Sequence, residues 1–340
     1  MQTPPPDFSR PAPLLALVVP CLDEAEALPE TQRVLMHTLD SLVSAGLARE
    51  GSFVLYVDDG SSDSTWRLIE EFAGLRPGRV RGLRLAANAG HQHALMAGLD
   101  EVAGVCDAAV SLDADLQDSP ETIADMLRLY AKGYEIVYGV RRRRKSDNVF
   151  KVLTAKAFYR LRRSLGVSTV CDHADFRLLS AKALKALGRF EETNLFLRGI
   201  VPMLGMTQGR VYYDRPPRRH GKSKYPLARM LNFAADGITS FSVRPARMIL
   251  GCGLAFMAIA AVILVYVLIR YFTDHTIAGW TSIILSIWFC TGVLLLALGV
   301  VGEYLAKVYM EVKRRPRWQP DSRTGTAVAP ERDENADSGR

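Results

Sequence analysis

LDADLQD, Leu112 to Asp118, sets two aspartates two positions apart at the exit of a short apolar run, Ala108 to Leu112. Alternation along an extended chain sends both carboxylates to the same side, and at the end of a strand both reach one ligand. Two close carboxylates repel unless a cation joins them. Hard divalent ions such as Mg2+ or Mn2+ take oxygen ligands and leave coordination sites for phosphate. Gln117 adds an amide oxygen, so Asp113, Asp115 and Gln117 form the candidate metal set. A lone DxD is also an ordinary strand-end turn, and its meaning depends on what surrounds it.

Four further apolar runs of strand length flank it: Leu14 to Val19, Phe53 to Val57, Val80 to Leu85 and Ile136 to Tyr138, separated by amphipathic stretches. Strands alternating with helical patterns imply βαβ units and an α/β fold with a mainly parallel sheet. In such sheets ligands sit beyond the carboxyl ends of the strands. Polar clusters follow the first, second and fourth runs directly. After the second comes VDDGSSD, Val57 to Asp63, in which Asp58 and Asp59 can accept hydrogen bonds from a nucleobase edge or ribose hydroxyls. Its Gly and Ser residues suit a tight turn, and Ser62 or Asp63 suits a helix cap. After the first comes PCLDE, Pro20 to Glu24, a turn ending in an acidic residue. No GxGxxG follows the first run, which argues against dinucleotide binding.

Two long runs without a charged side chain, Met248 to Ile269 and Thr281 to Gly302, each suffice to cross a hydrocarbon core as a helix, which needs about 20 residues. Two buried core helices are the alternative, although soluble helices seldom run so far without a polar face. Arg244 and Arg247 precede the first run, and Lys307, Lys313, Arg314, Arg315 and Arg317 follow the second. The link Tyr271 to Gly279 has no Lys or Arg, so both long ends are expected on the cytoplasmic side. No signal peptide is expected, because the first apolar run is only strand length.

The formal charge of +7 is unevenly spread, gathering at Arg141 to Lys145, Lys151 to Arg163 and Arg215 to Lys224. A bilayer surface or substrate phosphates fit this pattern better than nucleic acid. Residues 148–166 read as a basic amphipathic helix, either interfacial or packed on the sheet, and 226–247 as an amphipathic helix at the membrane surface. The five cysteines show no CxxC spacing and argue against a disulfide framework or a zinc site. The expected organisation is a disordered 1–13, a catalytic domain over 14–225, the interfacial helix, a hairpin over 248–304 with spans about 248–269 and 281–302, and a 305–340 tail, basic and then disordered.

PxxxE, VDDGSxD, NAGHQHALMAG (Asn88 to Gly98), LDADLQD and an Arg-rich stretch, in that order, resemble the GT-A (Rossmann-like) fold of family 2 glycosyltransferases. DHADFRLLS (Asp172 to Ser180) and GKSKY (Gly221 to Tyr225) resemble its polyprenyl-phosphate subgroup, which includes dolichol-phosphate mannose synthases and bacterial undecaprenyl-phosphate glucose or aminoarabinose transferases. The resemblance covers Leu14 to Tyr304. It implies that Pro20, Leu22, Glu24, Asp58 and Asp59 surround the nucleoside of a nucleotide sugar. It places Asp113, Asp115 and Gln117 at the metal and diphosphate, with Asp115 and Asp175 catalytic. Asp175 acts there as a base or as an orienting group. Lys222 and Lys224 serve the donor phosphates, and Arg141, Arg177 and Arg198 the acceptor phosphate. A UDP-sugar is favoured over GDP-mannose, with undecaprenyl phosphate as acceptor, a bilayer as partner and a homo-oligomer allowed. A processive polysaccharide synthase is a rival, but its QxxRW motif is missing from the sequence. A catalytically dead assembly protein is another, opposed by the intact Asp59, Asp113, Asp115 and Asp175.

Overall fold

The computed structural model describes residues 10–141, 173–192, 196–214 and 280–325. Contacts divide the chain into one unit of 1–146, 169–224 and 316–340, and another of 147–168 and 225–315.

In the first unit all five expected strands form: β1 (Leu15–Cys21), β2 (Phe53–Asp58), β3 (Val80–Leu85), β4 (Ala108–Ser111) and β5 (Ile136–Arg141). β1 and β2 are buried at every position, which is why they read as unbroken apolar runs rather than alternating ones. The intervening helices are α1 (Leu28–Ser44), α2 (Thr65–Leu75), α3 (His91–Val102) and α4 (Thr122–Ala131). α1 starts with a proline in its first turn, where the missing N–H costs nothing. It buries Leu28, Leu35, Leu39 and Leu42 at helical spacing against the sheet.

Three strands go beyond the sequence reading: β6 (His173–Ser180), β7 (Gln208–Tyr213) and β8 (Pro320–Thr324), giving the order β7-β5-β6-β4-β1-β2-β3-β8. β1 runs parallel to β2 and β4, β2 to β3, and β5 to β7. β6 lies antiparallel between β4 and β5. The sheet is therefore mainly parallel, as expected, with β6 and the edge strand β8 reversed against the other six. Asp175 and Arg177 interrupt β6 with charge and mask its strand pattern, although Phe176 and Leu178 enter the core from the opposite face. Two short helices follow, α5 (Ala181–Leu187) and α6 (Leu197–Met203). Ser180 caps α5 by accepting from the Ala183 N–H.

The tail departs from the sequence reading too. Pro320–Thr324 is not disordered but forms the edge strand β8, antiparallel to β3. Gln319 O accepts from Ala86 N, Arg323 pairs with Glu101, and Arg317 donates to Phe190 O. PDSRT has no apolar residue, so its order comes from backbone pairing at a sheet edge that would otherwise be open, and composition does not register it.

The second unit contributes α7 (Trp280–Val312), 33 residues in one helix, about 50 Å long at about 1.5 Å per residue. Ile283, Ile287, Leu294, Leu298, Val301 and Leu305 are exposed on it. Among the described residues, no helix is long and apolar enough to cross a membrane. The expected second span, 281–302, lies inside α7. The first span, 248–269, and both interfacial helices, 148–166 and 226–247, lie outside the described residues, so the expected hairpin is not shown.

Candidate active site

Polar groups collect beyond the carboxyl ends of β1, β2 and β4, as the topology requires. The loops after β1 and β2 are stitched together. Asp23, at φ +52°, accepts from Ser62 N at 2.8 Å and Ser62 Oγ at 3.1 Å. Ser61 Oγ accepts from Asp23 N, Thr65 Oγ1 from Glu24 N, and Asp63 from Ala25 N. PCLDE and DDGSSD thus form one rim, with Pro20 buried, Leu22 41% exposed and Glu24 half-buried. Ser62 is expected from the sequence only as a helix cap, and the cross-loop bonds of Asp23, Ser61, Ser62 and Thr65 are missed, because side chains in a turn carry no signal of a partner in another loop.

Asp58 and Asp59 are both buried but differ in use. The Asp59 oxygens accept from Ala89 N at 2.7 Å and Gly90 N at 3.0 Å, so its carboxylate builds the turn entering α3. The close approach continues at Gly60, where a Cβ would lie 2.8 Å from Ala87 C and Asn88 N. Asp58 Oδ1 accepts from Ser61 N at 3.2 Å. Its Oδ2 is buried without a hydrogen-bond partner, with Arg84 Nε 3.5 Å away. Burial raises both carboxyls above their ordinary values, against the hydrogen bonds that lower them. With its side chain fully buried, Asp58 holds Oδ2 against the Arg84 guanidinium, which is itself 36% exposed.

The LDADLQD loop leaves β4 with Leu116 at φ +52°, a conformation a branched residue seldom adopts. Thr31 of α1 braces it by donating to Ala114 O at 2.6 Å. Asp115 accepts from Gln117 N at 3.1 Å, and Gln117 is buried. The Asp113 carboxyl is raised to about 6, first by burial and then by Asp118, Asp175 and Asp115, with His91 opposing. Among the described residues, no group of three or more His, Cys, Asp or Glu side chains is placed to hold a metal ion by itself. The oxygen donors Asp113, Asp115 and Gln117 nevertheless fit a hard divalent cation completed by phosphate oxygens, and the crowded carboxylates call for positive charge.

Register explains how Asp175 reaches this loop. Ser111 of β4 pairs with Arg177 of β6, and two more residues of antiparallel extension set Asp175 opposite Asp113. His91 Nε2 sits between them, 3.8 Å from Asp113 and 3.6 Å from Asp175. The two carboxylates raise its pKa against the pull of burial. Asp175 accepts from Arg177 Nη2 at 2.6 Å and from Arg198 Nε and Nη2 at 3.3 and 3.1 Å. Gln92 Nε2 lies 3.4 Å from Asp175, and Gln92 Oε1 accepts from Leu197 N. Burial alone would raise Asp175, but His91, Arg177 and Arg198 hold it well below the usual carboxylate range.

Arg177 corrects an expectation. Its side chain is 1% exposed and bonded to Asp175 and Leu197 O, so it is a buried counter-charge that no acceptor phosphate can reach. Arg198 is 37% exposed and Arg141 32%, which leaves both accessible. Lys222 and Lys224 lie outside the described residues. The parts played by His91, Gln92, Asp118 and Tyr213 emerge only in the fold, although NAGHQHALMAG already contained the first two and LDADLQD the third.

A Rossmann-like sheet of this order with acidic strand ends has the architecture of a GT-A fold. The sequence profile described as Glycosyl transferase family 2 matches residues 16–188, and the chain belongs to that family. It is a glycosyltransferase. The uncharacterized glycosyltransferase YkoT of Bacillus subtilis (strain 168) is 48% identical over 91% of this chain and 91% of its own. The bactoprenol glucosyl transferase of Shigella phage SfII is 33% identical over 89% of this chain and 96% of its own. A mannosyltransferase from Pyrobaculum calidifontis, solved with GDP-Man and Mn2+, is 18% identical, covers 91% of this chain and 90% of its own, and has a TM-score of 0.42.

Proposed function

We propose that this enzyme transfers a glycosyl group, with inversion, from a nucleotide diphosphate sugar to polyprenyl phosphate at the cytoplasmic face of the inner membrane, in cell-envelope glycan or lipopolysaccharide modification. One observation carries the donor half: carboxylates gather at the strand ends, Asp58 and Asp59 after β2 and Asp113 and Asp115 after β4. Likeness to a bactoprenol glucosyl transferase over nearly its whole length supports the lipid acceptor, and a UDP-sugar is the donor expected from the sequence. The exposed apolar side chains of α7 support membrane contact. The reading includes a hairpin over 248–269 and 281–302, with residues 226–247 at the interface.

Asp58 takes a nucleobase or ribose donor, and the rim of Pro20, Leu22 and Glu24 encloses the nucleoside. Asp113, Asp115 and Gln117 hold a Mg2+ or Mn2+ ion, which supplies charge neutralisation for the departing nucleoside diphosphate. Lys222 and Lys224 serve the same phosphates. The acceptor is a phosphate with a second pKa of about 6, so its attacking oxygen is already ionised near neutral pH and no strong base is required. Asp175, held low by its arginines, suits that demand: it fixes Arg198 and balances charge instead of taking a proton. Arg198 and Arg141 orient the acceptor phosphate.

Full-length enzyme incubated with undecaprenyl phosphate, Mg2+ or Mn2+ and a panel of UDP- and GDP-sugars is expected to release nucleoside diphosphate only when lipid is present. Asp115→Asn is expected to abolish turnover. Absence of release with every donor sinks the reading.

A further inference from the structure

Asp118, the last residue of LDADLQD, has no part in the scheme above, yet it is among the most completely buried charged side chains of the first unit, 1% exposed. Tyr213, the last residue of β7 and 4% exposed, donates to its Oδ1 at 2.5 Å. Arg141 closes β5, in register with Tyr213. Its Nε donates to the same Tyr213 oxygen at 3.2 Å, and its Nη2 lies 3.5 Å from Asp118 Oδ1. The result is an ordered relay, Arg141 to Tyr213 to Asp118, running from the arginine at the strand ends into a buried carboxylate. Burial, followed by Asp118, pushes the tyrosine hydroxyl far up, so it stays a donor over the working pH range. The ring is packed edge-on against Phe176, centroids 5.4 Å apart, and the hydroxyl therefore has little freedom to move.

The relay joins the metal-bearing loop to the ends of two strands and fixes one side of a guanidinium that stays one third exposed. An arginine side chain carries much rotamer freedom, and holding it in advance reduces the ordering cost of binding an anion. Asp118 Oδ2 has no hydrogen-bond partner among the described residues. Without the tyrosine hydroxyl, Asp118 would keep only the 3.5 Å contact to Arg141 Nη2, and the guanidinium, no longer held at Nε, would close further onto the buried carboxylate and draw away from the mouth of the site.

We propose that Asp118 and Tyr213 are positioning residues which hold Arg141 outward for the acceptor phosphate. This rests on the acceptor reading above, and the test separates the two. The measurement is calorimetric titration of farnesyl phosphate into the detergent-solubilised full chain, alongside KM for undecaprenyl phosphate and for the donor. Tyr213→Phe keeps the ring on Phe176 and removes both hydrogen bonds. It should weaken farnesyl phosphate binding and raise the acceptor KM by about tenfold or more, the size of one hydrogen bond to a charged group. The donor KM should stay within about twofold on the same scale. Arg141→Lys should do the same, and the double variant should lose no more than either single one, because Tyr213 acts only through Arg141. A merely structural tyrosine would move donor and acceptor constants together and would add to Arg141→Lys. Either of those results, or unchanged farnesyl phosphate binding in Tyr213→Phe, overturns the proposal. If Tyr213→Phe does not fold, Asp118→Asn combined with Arg141→Lys tests the same coupling: non-additive loss supports the relay and additive loss overturns it. Intact phosphate binding without sugar transfer overturns the acceptor reading while leaving the relay standing.

Discussion

Replacing Asp175 by Asn changes one buried group by a single charge and nearly no volume, and the structure says what that charge does. Arg177 is wholly buried, and its guanidinium contacts are Asp175 at 2.6 Å and the Leu197 carbonyl at 3.2 Å, while its Nε has no hydrogen-bond partner among the described residues. Burial pulls Arg177 below its ordinary value even beside the carboxylate, whereas Asp175 is held well below its own. The two shifts assign different worth to the same pair. The geometry supports an ionised Asp175 and a protonated Arg177, a pair of modest net value that is costly to break. Removing one partner of such a pair costs about 3–5 kcal/mol, a fall in melting midpoint on the order of 10 °C for a domain of this size. The sign with pH follows. Asp175 is depressed in the folded state, so its contribution is present above the unfolded value near 3.9 and fades as pH falls through the lower folded value. Thermal melts of wild type and Asp175→Asn followed by tryptophan fluorescence should therefore differ widely at pH 7 and begin to draw together only below about pH 4, as pH falls toward the lower folded value. Melting midpoints within a degree or two of each other at pH 7, together with a pH–rate profile demanding a base near neutrality, would refute the charge-balance role and return Asp175 to proton abstraction.

The Asp113 carboxyl, raised to about 6, must lose its proton to ligate a cation. Manganese titrations read by electron paramagnetic resonance should show affinity falling by about tenfold per unit below pH 6 and levelling off above it; a flat profile from pH 5 to 7 counts against Asp113 as a ligand. Gly98 lets α3 lie against the sheet, since a Cβ there would come within 2.5 Å of Val18 Cγ1 and 2.6 Å of Val57 Cγ2. Gly98→Ala should cost about 1–3 kcal/mol and, by tilting α3 away from the sheet, raise the donor KM through the 89–92 turn. A melt identical to wild type would contradict the tight packing. Deleting 320–325 should speed amide hydrogen exchange at alternate residues of Gly82 to Leu85, whereas Arg323→Ala, in a pair 47% and 23% exposed, should change stability by less than about 1 kcal/mol. Unchanged exchange after the deletion would mean that β8 does not pair in solution.

Local pattern sufficed for the strands β1 to β5 and for the acidic ends of β2 and β4, because an apolar run buried on both faces and an Asp pair at its exit are written in consecutive residues. Asp175 and Arg177 are marked by the family resemblance and not by local pattern. Only tertiary pairing decides that β6 enters antiparallel between β4 and β5, and that reversal sets Asp175 opposite Asp113. The same packing withdraws Arg177 from solvent, commits Asp59 to the Ala89 and Gly90 amides, and draws a polar tail into the sheet as β8. Each of these depends on which atoms meet across tens or hundreds of residues, where side-chain type sets only what a group is able to do. By itself the sequence determined the chemistry present at the strand ends. The structure decided which of those charges are neutralised in the core and which are left to meet a substrate, because burial and hydrogen-bond partners belong to the fold and not to the residue.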